Sequence, residues 1–248
     1  MQQYIVRPND TLFLIAREFK VPLEQLISAN PQITNPDMIH VGQTIIIPDL
    51  MPIPNELLSI ETDAEDIIEN IYAGDWQSVR TRTDNIKTNM RDVLPQLQQA
   101  QVPGNVIAEI NQAARNLEQH AMQERTFPAM SQANQTTRYV ADALEYFKVV
   151  IPPDIHRLSY FARQIIINVE QNDWAEARNN YNRALAAWNR IKPELGAAYN
   201  EDIAYMDQVF ADLNESINRR DYQAAIRNAI FILEAADIVG SIFFERNR

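Results

Sequence analysis

The residue types that most often bind metal or carry catalysis are sparse in this chain and widely separated. Its three histidines, His40, His120 and His156, lie in different segments, and no two have the spacing of a zinc-binding helix. His120 and Glu124 would lie one helical turn apart, where they could share a metal ion or a proton, although a solvated polar pair is the commoner outcome. The absence of cysteine excludes disulfides, thiolate metal sites and a cysteine nucleophile. We expect no metal site and no cofactor.

Carboxylates, by contrast, are abundant, and a pair of them is what a glycoside hydrolase requires. The chain has 33 acidic residues, and five form a run near an expected helix start: Glu61, Asp63, Glu65, Asp66 and Glu69. Such a run complements the helix dipole, and we interpret it as a solvated face. Nucleophile elbows, phosphate-binding loops and dinucleotide-binding fingerprints are all missing from the sequence. The sequence therefore predicts no catalytic residue.

Composition limits the classes of partner. The 248 residues carry a formal charge of −11, which argues against a phosphate-binding surface and predicts no nucleic-acid partner. No apolar run approaches the roughly 18 residues that a membrane-spanning helix needs, so we expect no membrane insertion. The N-terminus shows no basic stretch followed by an apolar run, and the first patterned segment begins at residue 3, so we expect a product without a signal peptide. With 46% hydrophobic residues and five glycines, the chain is expected to be mainly α.

The first 48 residues have a different pattern from the rest. Residues 3–7 alternate as a short strand does, residues 11–19 and 23–29 have helical periodicity, and residues 43–47 are β-branched and apolar. Asp10 stands where a helix N-cap belongs. Gly42, before the second strand, is expected to supply a turn with a positive φ. These features predict a small βααβ module.

This module resembles a LysM domain over residues 3–48. The resemblance rests on Tyr4-Ile5-Val6, Asn9-Asp10-Thr11-Leu12, Ile15-Ala16, Asn30-Pro31, Asn35-Pro36-Asp37 and Gly42 to Pro48, which agree in order and spacing. LysM domains bind glycans that contain N-acetylglucosamine, such as peptidoglycan and chitin. Most members of the family have Gly at the position of Asn9. Asn tolerates the left-handed backbone of such a turn, but its larger side chain is expected to narrow the mouth of the binding groove.

The resemblance also implies a binding site. In LysM domains the sugar lies between the loop after the first strand and the segment before the second. The corresponding residues here are Asn9, Asp10, Thr11, Leu12 and Phe13 on one side, and Ile33, Asn35, Pro36, Asp37, Met38 and Ile39 on the other. Exposed backbone would bond acetamido and hydroxyl groups, while Leu12, Met38 and Ile39 would cover an apolar sugar face.

The remaining 200 residues are predicted to be helical and internally repeated. Asp75-Trp76, Arg80 and Pro95 recur 98 positions later as Asp173-Trp174, Arg178 and Pro193. A finer period joins Asp75-Trp76, Thr126-Phe127, Asp173-Trp174 and Asp221-Tyr222, each a capping residue followed by an aromatic. We interpret these pairs as the starts of helices in four helical hairpins, eight helices in all. Each half would form an up-and-down four-helix bundle, with the two halves stacked end to end, although a solenoid of hairpins also fits the pattern.

Several residues of this helical part have specific expectations. Asp173 and Glu176 have the spacing of a capping box. Pro95 and Pro193 should kink or end their helices. The aromatic residues Trp76, Trp174, Tyr181 and Trp188 are predicted to pack in the core, the alternative being a platform on which sugars stack.

Together these patterns predict four segments: a LysM module at 1–48, a proline-rich spacer at 49–55, and helical repeats at 56–151 and 152–248. We expect a non-enzymatic peptidoglycan-binding protein whose helical part contacts an unknown protein or another copy of itself. The module is similar to those of spore-coat morphogenetic proteins, which implies a place on the mother-cell side of the spore envelope; otherwise the protein would be cytoplasmic or associated with the cell wall. A cell-wall hydrolase with an unrecognised carboxylate site in the helical part is the alternative.

Overall fold

A computed structural model describes residues 2–246 of the chain. As predicted, the protein is mainly α, with a small βααβ unit followed by eight α-helices within these residues. The elements are β1 (Gln2–Ile5), α1 (Leu12–Glu18), α2 (Leu23–Ser28), β2 (Thr44–Ile47), α3 (Asn55–Tyr72), α4 (Trp76–Gln99), α5 (Gly104–Met122), α6 (Thr126–Leu144), α7 (Pro153–Glu170), α8 (Trp174–Leu195), α9 (Asn200–Arg219) and α10 (Tyr222–Arg246). A 3₁₀ turn at Ala197–Tyr199 precedes α9. No helix in this range has both the length and the apolar character needed to cross a bilayer.

The N-terminal unit is built on two short antiparallel strands. Tyr4 pairs with Ile45, and both side chains point into a small core that α1 and α2 cover. Asn9 has a φ of 70° and Gly42 a φ of 87°, so both turns use the left-handed backbone expected from the sequence. The fold of this unit is therefore set largely by alternation in its strands and by two turn residues.

The eight remaining helices form two closed four-helix arrangements. In the first, α3 packs on α4, α4 on α5, α5 on α6, and α6 returns to α3; α7 to α10 close in the same way. Each arrangement has its own buried apolar cluster. Short connections join successive helices, which gives the up-and-down topology that the sequence predicts.

The two bundles lie side by side, and the expectation that they stack end to end is wrong. Helix α7 packs along α6, and Ile167 of α7 is buried in the core of the first bundle. Between the two helices, the buried amide of Asn134 donates to Tyr160 O and Gln164 Oε1, both at 3.0 Å. The reason is that α7 is apolar on two faces and can fill both cores, which an end-to-end contact could not satisfy.

The turns within the four hairpins share one backbone design. A left-handed residue, namely Gly74, Glu124, Asn172 or Arg220, ends each turn. The next N–H bonds to a carbonyl five residues earlier, as in Asp75 N to Asn70 O at 2.9 Å and Asp173 N to Asn168 O at 2.8 Å. This is the Schellman closure of a helix, followed at once by the start of the next helix.

The capping predictions are mostly met, with two corrections. The carboxylates of Asp75, Asp173 and Asp221 each accept an N–H from the first turn of the following helix. The prediction for Thr126 is wrong, because Arg125 occupies the cap position and Thr126 is already helical. Glu176 accepts from Asn179 rather than from the backbone of Asp173, so only half of the predicted capping box forms.

Proline does not end α4 or α8. Pro95 and Pro193 both lie inside their helices, which continue to Gln99 and Leu195. Both prolines fall in the last turns, where the loss of one N–H and one intrahelical bond is more easily tolerated than mid-helix.

The aromatic predictions hold for the core: Trp188 and Tyr181 are buried, and Trp76 and Trp174 pack half-buried against the two cores.

The proline-rich segment between the module and the bundles is extended but packed. Met51 and Ile53 lie against the first bundle, and Met51 O accepts a hydrogen bond of 2.7 Å from Lys148 N. The module itself contacts both bundles, through Gln25 Nε2 to Ala100 O at 2.6 Å and through Lys20 Nζ to Glu194 at 2.7 Å. The module is thus held against the helical part by α2 and by the end of α1.

Candidate functional site: the loop end of the N-terminal module

The two segments implied in ligand binding leave the same end of the two-stranded sheet. Antiparallel pairing places the end of β1 beside the beginning of β2, with Ile5 opposite Thr44. Two further bonds extend the pairing, Val6 N to Gln43 O and Gly42 N to Val6 O, each 2.9 Å. The loop after β1 and the segment before β2 therefore emerge together.

The structure divides the eleven predicted site residues by exposure. Seven are exposed to solvent: Asn9, Thr11, Phe13, Asn35, Pro36, Asp37 and Met38. Asp10 and Ile39 are half-buried, whereas Leu12 and Ile33 are only 1% and 8% exposed and belong to the core of the module. Phe13 and Met38, each 60% exposed, are consequently large apolar side chains of the predicted site that a ligand can reach, whereas Leu12 is not.

Asp10 organises the first loop instead of capping α1. Its Oδ2 accepts hydrogen bonds of 2.7 Å from Arg7 N and from the Tyr4 hydroxyl. These bonds, the backbone one foremost, hold the pKa of the Asp10 carboxyl below its ordinary value, and the bond to Asp10 raises the pKa of Tyr4. Thr11 is the true N-cap, since its hydroxyl accepts from Leu14 N at 3.1 Å. The Asp10 prediction was one residue off because both side chains are good caps.

The second segment is shaped by Asn35. Its side-chain oxygen accepts from Asp37 N at 3.1 Å, and its carbonyl accepts from Met38 N at 3.0 Å. This Asx turn projects Pro36, Asp37 and Met38 outward. Within residues 2–246, the hydrogen bonds of both segments stay inside the module, so contacts with the bundles leave the loop end uncovered.

Asn30 has a structural role that its position at the end of α2 did not reveal. The side chain is fully buried, donating to Leu26 O at 2.7 Å and Ile46 O at 2.8 Å. Its oxygen accepts from Ile46 N at 2.7 Å and from Gln32 Nε2 at 3.0 Å. One amide thereby joins the end of α2 to β2 and fixes the segment that leads into the second loop. The only sequence signal is an Asn directly before Pro, and the same pair is common at the end of a helix.

The loop end suits a neutral, hydroxyl-rich ligand. Exposed turns present backbone donors and acceptors, and two exposed apolar side chains can lie against the carbon face of a ring. Among residues 2–246, no group of three or more His, Cys, Asp or Glu side chains is arranged so that it could bind a metal ion. His120 and Glu124 do not pair, since Glu124 contacts Arg80 at 3.2 Å.

The acidic run of α3 is not the solvated face that was predicted. Glu61 and Asp63 are buried; Glu61 accepts from His156 Nδ1 at 2.8 Å, and Asp63 pairs with Arg82 at 2.8 Å. Glu65 is bound to Arg163 of α7. The helix begins at Asn55, so these carboxylates lie beyond its first turn and neutralise cations on neighbouring helices.

The fold and its open loop end define a small βααβ binding module. Residues 4–48 match the LysM domain family, so the chain contains a LysM domain at its N-terminal end. LysM domains bind glycans of the peptidoglycan and chitin type.

Three characterised proteins are similar to this chain over short stretches. The secreted LysM effector ECP6 of Passalora fulva is 49% identical over 45 residues, which are 18% of this chain and 20% of that protein. The N-acetylmuramoyl-L-alanine amidase XlyA of Bacillus subtilis is 38% identical over 69 residues, which are 25% of this chain and 23% of that protein. The cortical fragment-lytic enzyme of the same organism is 44% identical over 48 residues, which are 19% of this chain and 11% of that protein. The matches thus span no more than about a quarter of these relatives. No solved structure matches the chain significantly.

Proposed function

We propose that this chain is a non-enzymatic glycan-anchored scaffold. Its LysM domain would hold N-acetylglucosamine-containing glycan of the peptidoglycan type at the loop end. The eight-helix part would hold a protein, so that a partner is carried to the glycan. The names of the two Bacillus relatives, which refer to N-acetylmuramoyl-L-alanine and to cortical fragments, favour peptidoglycan over chitin.

The observation that carries the glycan proposal is the exposure of Phe13 and Met38 on the two segments that emerge from one end of the sheet. The module gains nothing in its own stability from leaving two large apolar side chains in water beside hydrogen-bonded turns. Apolar contact with sugar rings contributes roughly 25 cal/mol per Å² covered, while the turns supply directional hydrogen bonds. Asp10 and Asn35 hold these turns in place before any ligand binds.

Co-sedimentation of the full chain with insoluble peptidoglycan tests this proposal. Phe13→Ala and Met38→Ala should each weaken binding by roughly tenfold, about 1.4 kcal/mol. Met122→Ala is the matched control, because Met122 is 67% exposed but lies on α5, outside the module. An equal loss of binding in all three variants would contradict the glycan assignment. So would a wild-type protein that stays in the supernatant together with the variants.

A cell-wall hydrolase is the second candidate, and one observation favours it. Glu65 faces a groove in the helical part, and burial raises the pKa of its carboxyl despite the opposing charge of Arg163. Clearing of a cell-wall suspension by purified protein is the test. Lysis that disappears in Glu65→Gln would establish the hydrolase and end the scaffold proposal; intact walls support the scaffold.

The place of action and the origin of the helical part are further proposals. Location at the spore surface predicts that a fluorescent fusion surrounds the forespore in sporulating cells, and uniform fluorescence in the mother cell contradicts it. An internal duplication is supported by the equivalent starts of α4 and α8 at Trp76 and Trp174, each capped by Asp.

A further inference from the structure

A long groove runs over α7, between α3 on one side and α10 on the other. Its volume is about 1050 Å³. The floor extends from Ile155 to Glu170 of α7. At 1.5 Å per residue, this stretch is roughly 22 Å long, the length of a helix of about 15 residues. In length, the groove therefore matches one additional helix.

Helix α10 presents apolar residues to this groove, and two of them, Ile226 and Leu233, also pack partly against the core of their own bundle. The groove-facing residues Ile226, Ile230, Leu233, Gly240 and Phe244 are spaced by three, four or seven positions, the spacing of one helical face. Ile230 is 40% exposed and Phe244 50% exposed. Asp237 lies on the same face, between Leu233 and Gly240. Apolar side chains at helical spacing along one wall of a groove are typical of a surface that receives an amphipathic helix.

The lining of the groove is strongly acidic. It contains seven carboxylates, against one arginine and one histidine. Four are engaged by neighbouring side chains, namely Glu61 by His156, Glu65 by Arg163, Asp66 by Arg82 and Glu170 by Tyr72. The other three, Glu69, Asp237 and Glu245, are exposed and form no ion pair within residues 2–246.

We infer that this groove binds an amphipathic helix of about 15 residues from another protein, with apolar anchors on one face and Lys or Arg on its flanks. The inference rests on the proposed scaffold role of the helical part. Unpaired carboxylates on both walls favour cationic flanks, since opposite charges steer and select partners. A second copy of this chain is disfavoured, because a symmetric contact would place acidic lining against acidic lining. Anionic lipid is disfavoured for the same reason.

The test uses the full chain and three fluorescein-labelled synthetic peptides of 16 residues. The first has Leu at helical i, i+3, i+4 and i+7 spacing with Lys on its flanks; the second has Glu in place of Lys; the third is the first in scrambled order. Fluorescence anisotropy should show binding of the Lys peptide alone, weakening as salt is raised. Equal binding of the Glu peptide or of the scrambled peptide, or no binding of the Lys peptide, overturns the inference.

Paired variants on α10 locate the site. Ile230→Ser should weaken binding of the Lys peptide roughly tenfold, while Ile238→Ser should not, because Ile238 is 52% exposed but lies outside the groove. Asp237→Lys should weaken it roughly fivefold to tenfold, with the exposed Glu234→Lys as its control. Equal effects within either pair would exclude the groove.

Two further outcomes assign the groove to another occupant. Sedimentation velocity that shows a dimer of wild type, lost in Ile230→Ser, would make the occupant a second copy. Flotation with vesicles of anionic lipid would make it a membrane, and either result overturns the inference. Peptidoglycan pelleting is measured on the same variants: if the Lys peptide fails to bind while pelleting persists, the groove inference falls and the glycan anchor stands.

Discussion

Replacement of Asn30 by Ala tests how the LysM domain holds its second loop in place. Truncation leaves three backbone groups without their partner: the carbonyls of Leu26 and Ile46 and the N–H of Ile46. The site is fully buried, so water cannot easily replace the amide. At about 1 kcal/mol for each orphaned group, the module should lose roughly 3 kcal/mol of local stability.

Hydrogen–deuterium exchange measures this loss at the affected strand. If exchange proceeds through local opening, 3 kcal/mol corresponds to exchange more than a hundredfold faster at Thr44–Ile47. Peptides from the bundles, whose cores are separate, should exchange as in wild type. Binding to peptidoglycan should fall with the same variant.

Gln32→Ala is the control for this experiment. Gln32 is exposed and gives Asn30 one of its four hydrogen bonds, at 3.0 Å, while Ile46 N still occupies the same oxygen. Its cost should stay within about 0.5 kcal/mol, roughly a twofold change in exchange. Wild-type exchange of β2 in Asn30→Ala would refute the argument, because it would mean that the strand is held without the buried amide.

Three other variants test single features of the structure. Asn9→Gly should keep the fold and maintain or strengthen glycan binding, whereas Asn9→Val should destabilise the module by about 1–2 kcal/mol, because its φ is 70°; exchange and co-sedimentation distinguish the two. Trp188→Ala should cost about 3–5 kcal/mol in urea unfolding, since the ring is fully buried and donates to Asp207 at 2.6 Å, and a cost below 1 kcal/mol would contradict that packing. Burial lowers the pKa of His156, but the hydrogen bond to Glu61 and the negative charge of Glu61 outweigh burial, so the pKa is raised. The other charged groups that line the same groove near His156 are Glu65, Arg163 and, on α10, Asp237 and Glu245. Because the pKa is raised on folding, the protonated His156 stabilises the folded protein fully below about pH 6.5, and this stabilisation is lost as the pH rises through the folded-state pKa. The denaturation midpoint of the wild type should therefore fall over this pH range, and the midpoint of His156→Gln should not.

Local features of the fold could be predicted because they depend on residues close in sequence. The two strands and two helices of the LysM domain, the left-handed turns at Asn9 and Gly42, and the caps at Asp75 and Asp173 follow from backbone preferences over a few positions. Errors in this part were shifts of one residue. Thr11, which is as good a cap as Asp10, caps α1, and α6 begins at Thr126 itself, after Arg125 at a cap position without a side-chain hydrogen bond.

The candidate site was predictable in outline but not in which side chains are available. The resemblance places both loops at one end of the sheet, and the structure agrees in the pairing of Ile5 with Thr44. It cannot tell Leu12 from Phe13, which are adjacent on one helix, because burial depends on which face meets Ile15 and Ile45 in the core.

Contacts between distant helices were decided by the tertiary structure alone. From the sequence, the acidic run from Glu61 to Glu69 is predicted to be a solvated face. In the folded protein, His156 and Arg163 of α7 pair with its carboxylates. From the sequence, Asn30 is predicted only to end a helix. In the folded protein, its amide bonds the backbone of Ile46, sixteen residues further along the chain. The sequence by itself determined the LysM domain, the eight helices and their turns, since hydrogen bonding and periodicity act locally. Only packing determined the partners of the buried charges, the side-by-side bundles and the groove over α7, because these depend on which faces meet.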